Sequence, residues 1–200
     1  AWIVRNSWGS DWGKNGYFYV SYEDVSMGSG NAACVVTADK AGIYDNNYFH
    51  GNTARPVSYT TGYRKVAQIY QAKSPNASRE KLSAVSFMMS SSGQEYSIQI
   101  YKNPERVDGE IKDPESGIAM LKNPIEGVTT YAGVYTVEIP ELVLFGGDDE
   151  MAIVISFPED QKAKLFCDIS EKTSSTTGSC ESANTTEPGE SMYMTSSIWQ

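Results

Sequence analysis

Strict alternation of apolar and polar residues constrains the fold of this chain more than any other feature of its sequence. Between Glu95 and Lys102, the residues Tyr96, Ile98 and Ile100 occupy every second position, and mostly polar residues lie between them. Successive side chains of a strand point to opposite faces, so this period of two predicts a strand with one buried face. Such a strand is typical of an antiparallel sheet.

Similar short segments recur along most of the chain, and Gly, Pro and Asn turn signals separate them. They predict further strands at Tyr63–Ala72, Leu82–Met89, Ile118–Leu121, Gly133–Ile139, Leu142–Phe145, Met151–Phe157, Lys164–Ile169 and Ser191–Thr195. This pattern predicts an all-β chain folded as an antiparallel, jelly-roll-like β-sandwich. Met151–Phe157 is apolar on both faces apart from Ser156, which predicts a central strand. The segments Thr173–Ser179 and Glu181–Glu190 contain few apolar residues, which predicts one long exposed loop.

The charge balance excludes some partners. The chain has 16 Lys and Arg against 25 Asp and Glu, a net charge of −9, and no basic run stands out. We therefore expect no nucleic-acid partner, because phosphates are neutralised by clustered cations. No apolar run approaches the roughly 20 residues that span a bilayer, so no membrane span is expected either. Its 13 Tyr and many Ser and Thr suit an exported protein.

The first two dozen residues form a different pattern. Trp2–Val4 and Tyr17–Tyr22 are predicted strands, and the polar pair Asn6-Ser7 lies between them, next to the indoles of Trp8 and Trp12. These indoles are expected to shield the Asn6 amide from water. An Asn before a Gly-containing turn ordinarily makes local hydrogen bonds to the backbone, and that interpretation is the alternative.

The whole spacing favours a more specific interpretation. The order Asn6-Ser7-Trp8-Gly9, Trp12-Gly13 and Gly16-Tyr17 closely resembles the segment that carries the catalytic asparagine of papain-like cysteine peptidases. The resemblance implies two catalytic-site residues: Asn6, which would accept a hydrogen bond from the catalytic histidine, and Trp8, which would cover that bond. It also implies a peptide or protein substrate and no cofactor.

The chain departs from this family in one respect. The family order is Cys, then His, then Asn, but only five residues precede Asn6. We expect residues 1–40 to be the end of a longer peptidase, with the upstream peptidase domain in the same polypeptide, and the chain alone to be inactive. A rearranged site from His50 and one of Cys34, Cys167 and Cys180 is the alternative, and no sequence context supports it.

Residues 41–200 carry a second resemblance. The order Tyr96–Tyr101, Gly133–Ile139, Met151–Phe157, Pro188–Tyr193 and Trp199 resembles the lectin-like domain that follows the peptidase domain in some bacterial and archaeal papain-family proteins. This resemblance implies carbohydrate or cell wall as a partner and an extracellular or cell-surface location. The candidate carbohydrate-binding residues are Tyr44, Tyr48, Phe49 and His50, although packing of the sandwich against the peptidase domain is the favoured interpretation of these side chains.

Two smaller features remain open at this level. Cys167 and Cys180 flank a Ser- and Thr-rich segment, and they either form a disulfide or are two unpaired thiols, whereas Cys34 is expected to be buried and inert. The run Asp148-Asp149-Glu150 offers oxygen ligands for a structural calcium ion, but a solvated acidic turn is the favoured interpretation.

Overall fold

The computed structural model describes residues 1–26, 42–50, 62–74, 78–159, 163, 190–194 and 197–199, and the backbone alone of 56–58, 166–168, 172–175 and 178–181. The chain divides into two compact units, Ala1–Asp45 and Asn46–Gln200. Antiparallel strands make up the regular structure of both. In the described residues, one 3-10 turn at Pro114–Ser116 is the only helical element, and no helix could span a membrane.

The described part of the first unit, residues 1–26 and 42–45, contains one hairpin. Strand β1 (Trp2–Arg5) pairs with β2 (Tyr17–Val20), and Trp2 lies opposite Val20 while Arg5 lies opposite Tyr17. Both strands were predicted from their aromatic and β-branched residues, which suit a pleated surface. The strand predicted at Ala33–Thr37 falls outside the described residues, as does Cys34.

The second unit contains the remaining strands. They are β3 (Pro56–Ser58), β4 (Lys65–Gln71), β5 (Arg79–Lys81), β6 (Ala84–Met89), β7 (Glu95–Lys102), β8 (Arg106–Val107), β9 (Glu110–Ile111), β10 (Ile118–Ala119), β11 (Ile125–Val128), β12 (Gly133–Glu138), β13 (Leu144–Gly146), β14 (Glu150–Ser156), β15 (Phe166–Asp168), β16 (Lys172–Ser175), β17 (Gly178–Glu181) and β18 (Ser191–Met194).

The largest sheet has six strands. Its order is β10-β7-β14-β4-β18, and β11 also pairs with β7. Strand β14 lies between β7 and β4, which confirms the central position predicted from its apolar residues. Met151 and Ile155 are buried on one face of this strand, and Ala152 and Val154 are buried on the other. A strand covered on both faces cannot keep a polar side.

A second layer covers one face of this sheet and completes the predicted β-sandwich. It consists of the pairs β12-β6 and β13-β5. Its Val85, Met89 and Phe145 join Ile98 and Ile100 of β7 in one core cluster. The buried side chains Met89, Ile98, Ile100 and Phe145 are at most 1% exposed. Each contributes roughly 1.5 to 3 kcal/mol through removal of apolar surface from water.

The opposite face of the large sheet has a smaller cluster. Ile69 and Ala152 pack there with Ile111 of the β8-β9 hairpin. The carboxylate of Glu115, in the 3-10 turn, lies 2.5 Å from the Lys65 Nζ atom and fixes the turn against β4. The connection between β7 and β10 therefore covers a sheet face that would otherwise meet water.

Several segments differ from their sequence prediction. Within the predicted loop 173–179, residues 173–175 and 178–179 belong to the paired strands β16 and β17, where Thr173 lies opposite Cys180. Strands rich in Ser and Thr lack the period-two signal of alternating apolar residues. Strands β3, β5, β8 and β9 were not predicted, and neither was β11. Gly127 interrupts its pattern, because the Tyr96 ring occupies the space that a Cβ atom would need.

The predicted pairing of Cys167 with Cys180 concerns side chains that lie outside the described residues. Cys167 lies in β15 and Cys180 in β17, two strands of which only the backbone is described. Strand β15 pairs with β3, and β17 pairs with β16.

Candidate functional site

A tight loop between β1 and β2 holds the residues of the papain-like pattern. The backbone N–H of Asn6 donates to the Gly16 carbonyl oxygen at 2.9 Å, and the backbone N–H of Gly16 donates to the Trp12 carbonyl oxygen at 2.7 Å. Lys14 and Tyr17 exchange two backbone hydrogen bonds of 2.9 and 3.1 Å. These bonds fix the backbone on both sides of Asn6.

Two glycines of the pattern are required by this loop. Gly13 has φ of 59°, and a Cβ atom there would lie 2.6 Å from the Tyr17 carbonyl oxygen. Gly16 has φ of 87°, and its Cβ would lie 3.0 Å from the Gly9 oxygen. Left-handed backbone and close approach both favour glycine. The geometry of this loop therefore requires Gly13 and Gly16, independently of the resemblance to the papain-like segment.

The Asn6 side chain makes the local bond expected of an Asn in a turn. Its Oδ1 atom accepts a hydrogen bond from the Ser7 amide at 2.8 Å, and the residue is partly buried. A carbonyl oxygen has two lone pairs, so Oδ1 can accept a second bond while it keeps the first. The local bond also fixes the direction in which the second lone pair points.

The two indoles of the pattern lie in the same loop. Trp8 meets Trp12 edge to face with ring centroids 5.3 Å apart, and Trp12 meets Phe18 in the same way at 5.5 Å. Trp8 is 70% exposed, and Asn6 is partly buried. Shielding of the Asn6 amide by these indoles stays a prediction.

A cleft of about 570 Å³ opens beside this loop within the first unit. Its lining includes Asn6, Ser7, Arg5, Asn15 and Tyr17. The volume lies within the range of small-molecule sites. Asn6 therefore lines a space that can receive another polar group.

The candidate carbohydrate residues of the second unit have other contacts. Tyr48 donates its hydroxyl hydrogen to Glu80 at 2.6 Å and accepts from the Lys73 amide at 2.7 Å. Burial, followed by the hydrogen bond to Glu80, raises the pKa of Tyr48 to about 12. Phe49 is 60% exposed. Tyr44 belongs to the first unit and is 49% exposed.

His50 is engaged within the second unit. Its ring is stacked on Tyr70 with centroids 4.3 Å apart and planes at 6°. Its Nε2 atom lies 2.6 Å from the Ile69 carbonyl oxygen, and its Nδ1 atom lies 3.1 Å from the Glu190 carboxylate. Both ring nitrogens therefore face acceptors. This engagement gives no support to a rearranged site in which His50 would act on a thiol.

The acidic turn before β14 is bound by cationic partners. The carboxylate of Asp149 lies 2.5 Å from Lys102 Nζ and accepts from the Gly146 amide at 2.6 Å, while Glu150 pairs with Arg106. Asp148 is exposed. In the part of the chain that the structure describes, no three His, Cys, Asp or Glu residues are grouped as metal ligands.

A further aromatic group was not found from the sequence. Tyr131 is stacked on Tyr135 with centroids 4.8 Å apart, and Tyr135 is stacked on Phe87 at 5.8 Å. Tyr131 remains 55% exposed at the end of this stack. The only sequence signal is the Tyr-x-Gly-x-Tyr spacing around Gly133, which fits many ordinary turns.

Comparisons with known proteins divide the chain in a similar way. Residues 1–43 match the family model described as papain family cysteine protease, and residues 43–200 match the model described as lectin like domain. Germination-specific cysteine protease 1 of Arabidopsis thaliana is 39% identical over 56 residues, which are 28% of this chain and 15% of that protein.

Two solved structures of a clostridial protein share the fold. The cysteine protease Cwp84 after propeptide cleavage has a TM-score of 0.58 at 21% identity, over 100% of this chain and 46% of that one. The cysteine protease and lectin-like domains of Cwp84, a surface layer associated protein of Clostridium difficile, give 0.52 at 19% identity, over 100% of this chain and 41% of that one. The chain thus spans less than half of each of these relatives. Since one family model covers residues 43–200, the chain belongs to the lectin like domain family, preceded by a segment that matches papain family cysteine proteases.

Proposed function

We propose that this chain is the C-terminal part of a cysteine peptidase of the papain type, which hydrolyses peptide bonds. The nucleophilic Cys and the catalytic His would come from polypeptide that precedes Ala1. The observation that carries the proposal is the placement of Asn6, which lines a cleft beside a loop fixed by backbone hydrogen bonds. The match of residues 1–43 to the papain family supports it.

In this proposal Asn6 is a positioning residue. A cysteine nucleophile reacts as a thiolate, and a neighbouring imidazolium keeps its pKa low. The ring works only when one of its nitrogens faces the sulfur, so a third group must hold the other nitrogen. Asn6 Oδ1 would accept that N–H beside its bond from Ser7. A neutral amide loses less solvation than a carboxylate when the assembled site excludes water.

Trp8 has the second role in this proposal. Its exposed indole would cover the imidazole–Asn6 hydrogen bond once the rest of the peptidase domain is in place. A hydrogen bond shielded from water is electrostatically stronger than an exposed one. Trp8 is 70% exposed in this chain, so its indole is accessible for such a contact.

Substitution of Asn6 in the longer polypeptide tests this role. Asn6→Ala should lower kcat about tenfold or more and change KM less, because an unfixed ring is misplaced chiefly in the transition state. Asn47→Ala, at an exposed Asn of the second unit, is the matched control and should leave both constants unchanged. Equal kcat in Asn6→Ala and the unaltered enzyme would show that Asn6 has only a structural role.

A second function is proposed for the lectin-like unit, namely binding of carbohydrate or a cell-wall component. The family match over residues 43–200 supports it, and so does the exposed aromatic ring of Tyr131. An extracellular or cell-surface location follows as part of this proposal. It is supported by the surface-layer association of the structurally similar Cwp84. Neither proposed activity requires a cofactor.

A further inference from the structure

An aromatic stack leads from the core of the second unit to its surface. Phe87 and Tyr96 pack against the core cluster and meet edge to face with centroids 5.0 Å apart. Tyr135 stacks on Phe87 with planes at 19°, and Tyr131 stacks on Tyr135 with planes at 17°. One face of the Tyr131 ring is thus supported from below, and the side chain is 55% exposed.

Hydrogen bonds fix the backbone that carries this ring. The Tyr135 hydroxyl accepts from the amides of Thr130 and Tyr131, both at 2.8 Å, and donates to the Tyr131 carbonyl oxygen at 2.8 Å. Gly133 leaves space beside the ring, because a Cβ atom there would lie 3.1 Å from two Tyr131 ring carbons. Tyr135 therefore fixes Tyr131 through both its ring and its hydroxyl group.

The adjacent loop is joined to this one. The buried Thr129 hydroxyl donates to the Ser91 carbonyl oxygen at 3.0 Å and accepts from the Gln94 amide at 2.9 Å. The Gly93 amide donates to the Thr129 carbonyl oxygen at 2.6 Å. A ligand would therefore bind a surface that is already ordered, so little binding free energy would be lost in ordering that surface.

The chemistry of this surface selects the ligand. An aromatic face carries partial negative charge and attracts the weakly positive C–H groups of a sugar ring. Residues 84–101 and 123–139, which contain the aromatic stack and the loops joined to it, have no Lys or Arg. These two segments therefore offer no cationic partner to an anionic ligand. Thr130 precedes Tyr131 in sequence, and Ser92 lies in the loop that Gly93 joins to Thr129; both residues are exposed, and their hydroxyls suit partners with many hydroxyl groups.

We propose that Tyr131, supported by Tyr135, is a binding platform for a pyranose ring of an uncharged carbohydrate. This proposal rests on the carbohydrate-binding function proposed above and assigns it to a different place from Tyr44, Tyr48, Phe49 and His50. Tyr131 supplies the stacking surface, and Tyr135 acts as a positioning residue.

Titration of the purified 200-residue chain with trisaccharides tests the platform. The probes are the neutral chitotriose, cellotriose and mannotriose, with trigalacturonic acid as the charged comparison, and the readout is NMR of labelled tyrosine rings. At least one neutral probe should shift the Tyr131 and Tyr135 resonances. Tyr131→Ala should weaken its binding about tenfold or more, and Tyr131→Phe should retain binding, since it keeps the ring.

Tyr19→Ala is the matched control, because Tyr19 is 58% exposed and belongs to neither group of candidate carbohydrate-binding residues. If Tyr131→Ala left sugar binding unchanged, the proposal that Tyr131 is the platform would be wrong. Resonance shifts confined to Tyr44 and Tyr48 would lead to the same conclusion. The proposed carbohydrate-binding function would stand in both cases. No binding of any neutral probe by the unaltered chain would overturn both proposals. Since the resonance shifts are read on the unaltered chain, the test holds even if Tyr131→Ala fails to fold.

Discussion

The ammonium group of Lys102 lies 2.5 Å from the carboxylate of Asp149, joining the end of β7 to the turn that begins β14. Asn103 also donates to Asp149, at 2.9 Å. Partial burial alone would raise the pKa of Asp149, but the hydrogen bonds from Lys102, Gly146 and Asn103 outweigh it and lower the pKa to about 2.

The ion pair between Lys102 and Asp149 predicts how the stability of the folded chain changes at acid pH. The pKa of Asp149 is lower in the folded chain than its unfolded value of about 3.9, so its stabilisation is present above pH 4 or so and is lost as the pH falls towards about 2. Asp149→Asn should cost on the order of 1 kcal/mol at neutral pH and flatten this part of the curve. Urea unfolding at pH 2 to 7 measures it. The exposed neighbour variant Asp148→Asn should behave like the unaltered chain.

Tyr70 predicts a response at alkaline pH. Burial, followed by the negative charge of Glu190, raises the pKa of Tyr70 to about 12. The unfolded phenol loses its proton near pH 10, so stability should fall between about pH 10 and 12, where only the folded chain keeps it. Tyr70→Phe should make this fall shallower, although Tyr48 and Tyr101, also with pKa values of about 12, maintain part of it. Urea midpoints from pH 9 to 12 measure the slope, and an identical slope in Tyr70→Phe would contradict the assignment.

Gly127→Ala tests the unpredicted strand β11. A Cβ atom at residue 127 would overlap the ring and hydroxyl of Tyr96. The substitution should cost about 1 to 3 kcal/mol, because the ring must leave its packed position. In a Tyr96→Leu background the same change should cost much less, and a double-mutant cycle of urea midpoints gives the coupling. Additive effects would mean that the ring is not the obstacle.

Removal of residues 1–45 should leave a folded domain. The core clusters lie wholly in the second unit, so a chain that begins at Asn46 should melt cooperatively within about 5 °C of the 200-residue chain. A chain that begins at Gly51 loses the Tyr48–Glu80 bond and the His50–Tyr70 stack and should melt at a lower temperature. Calorimetry compares them. An unfolded chain from Asn46 would show that residues 1–45 are an integral part of the domain.

The purified 200-residue chain should not hydrolyse peptides. Asn6 only positions a histidine in the proposed mechanism, and His50 is held by Tyr70, Ile69 and Glu190. A general fluorogenic peptide substrate, with and without a thiol alkylator, provides the assay. Alkylator-sensitive hydrolysis that disappears in His50→Ala would contradict this expectation and restore the rearranged site.

Strands that bury one face against the core were predictable from the sequence, because apolar and polar residues alternate along them. Strand β7 has the predicted bounds, and β14 is central as its two apolar faces indicated. Burial of one face imposes a period of two on the sequence, so the pattern is readable without coordinates. The loop around Asn6 was readable for a related reason, since Gly13 and Gly16 are dictated by local backbone geometry.

Only the tertiary structure decided which polar and aromatic residues meet. Tyr48 and Glu80 are 32 positions apart in sequence, and Lys102 and Asp149 are brought together by the pairing of β7 with β14. The stack that exposes Tyr131 depends on Phe87, which reaches Tyr135 because β6 pairs with β12. Contacts across strands are set by register and layer packing, which no local period encodes. The strands with an alternating apolar face and the glycines of the Asn6 loop were therefore predictable from the sequence, whereas the choice of side chains left exposed to a partner depends on how the strands pair and pack.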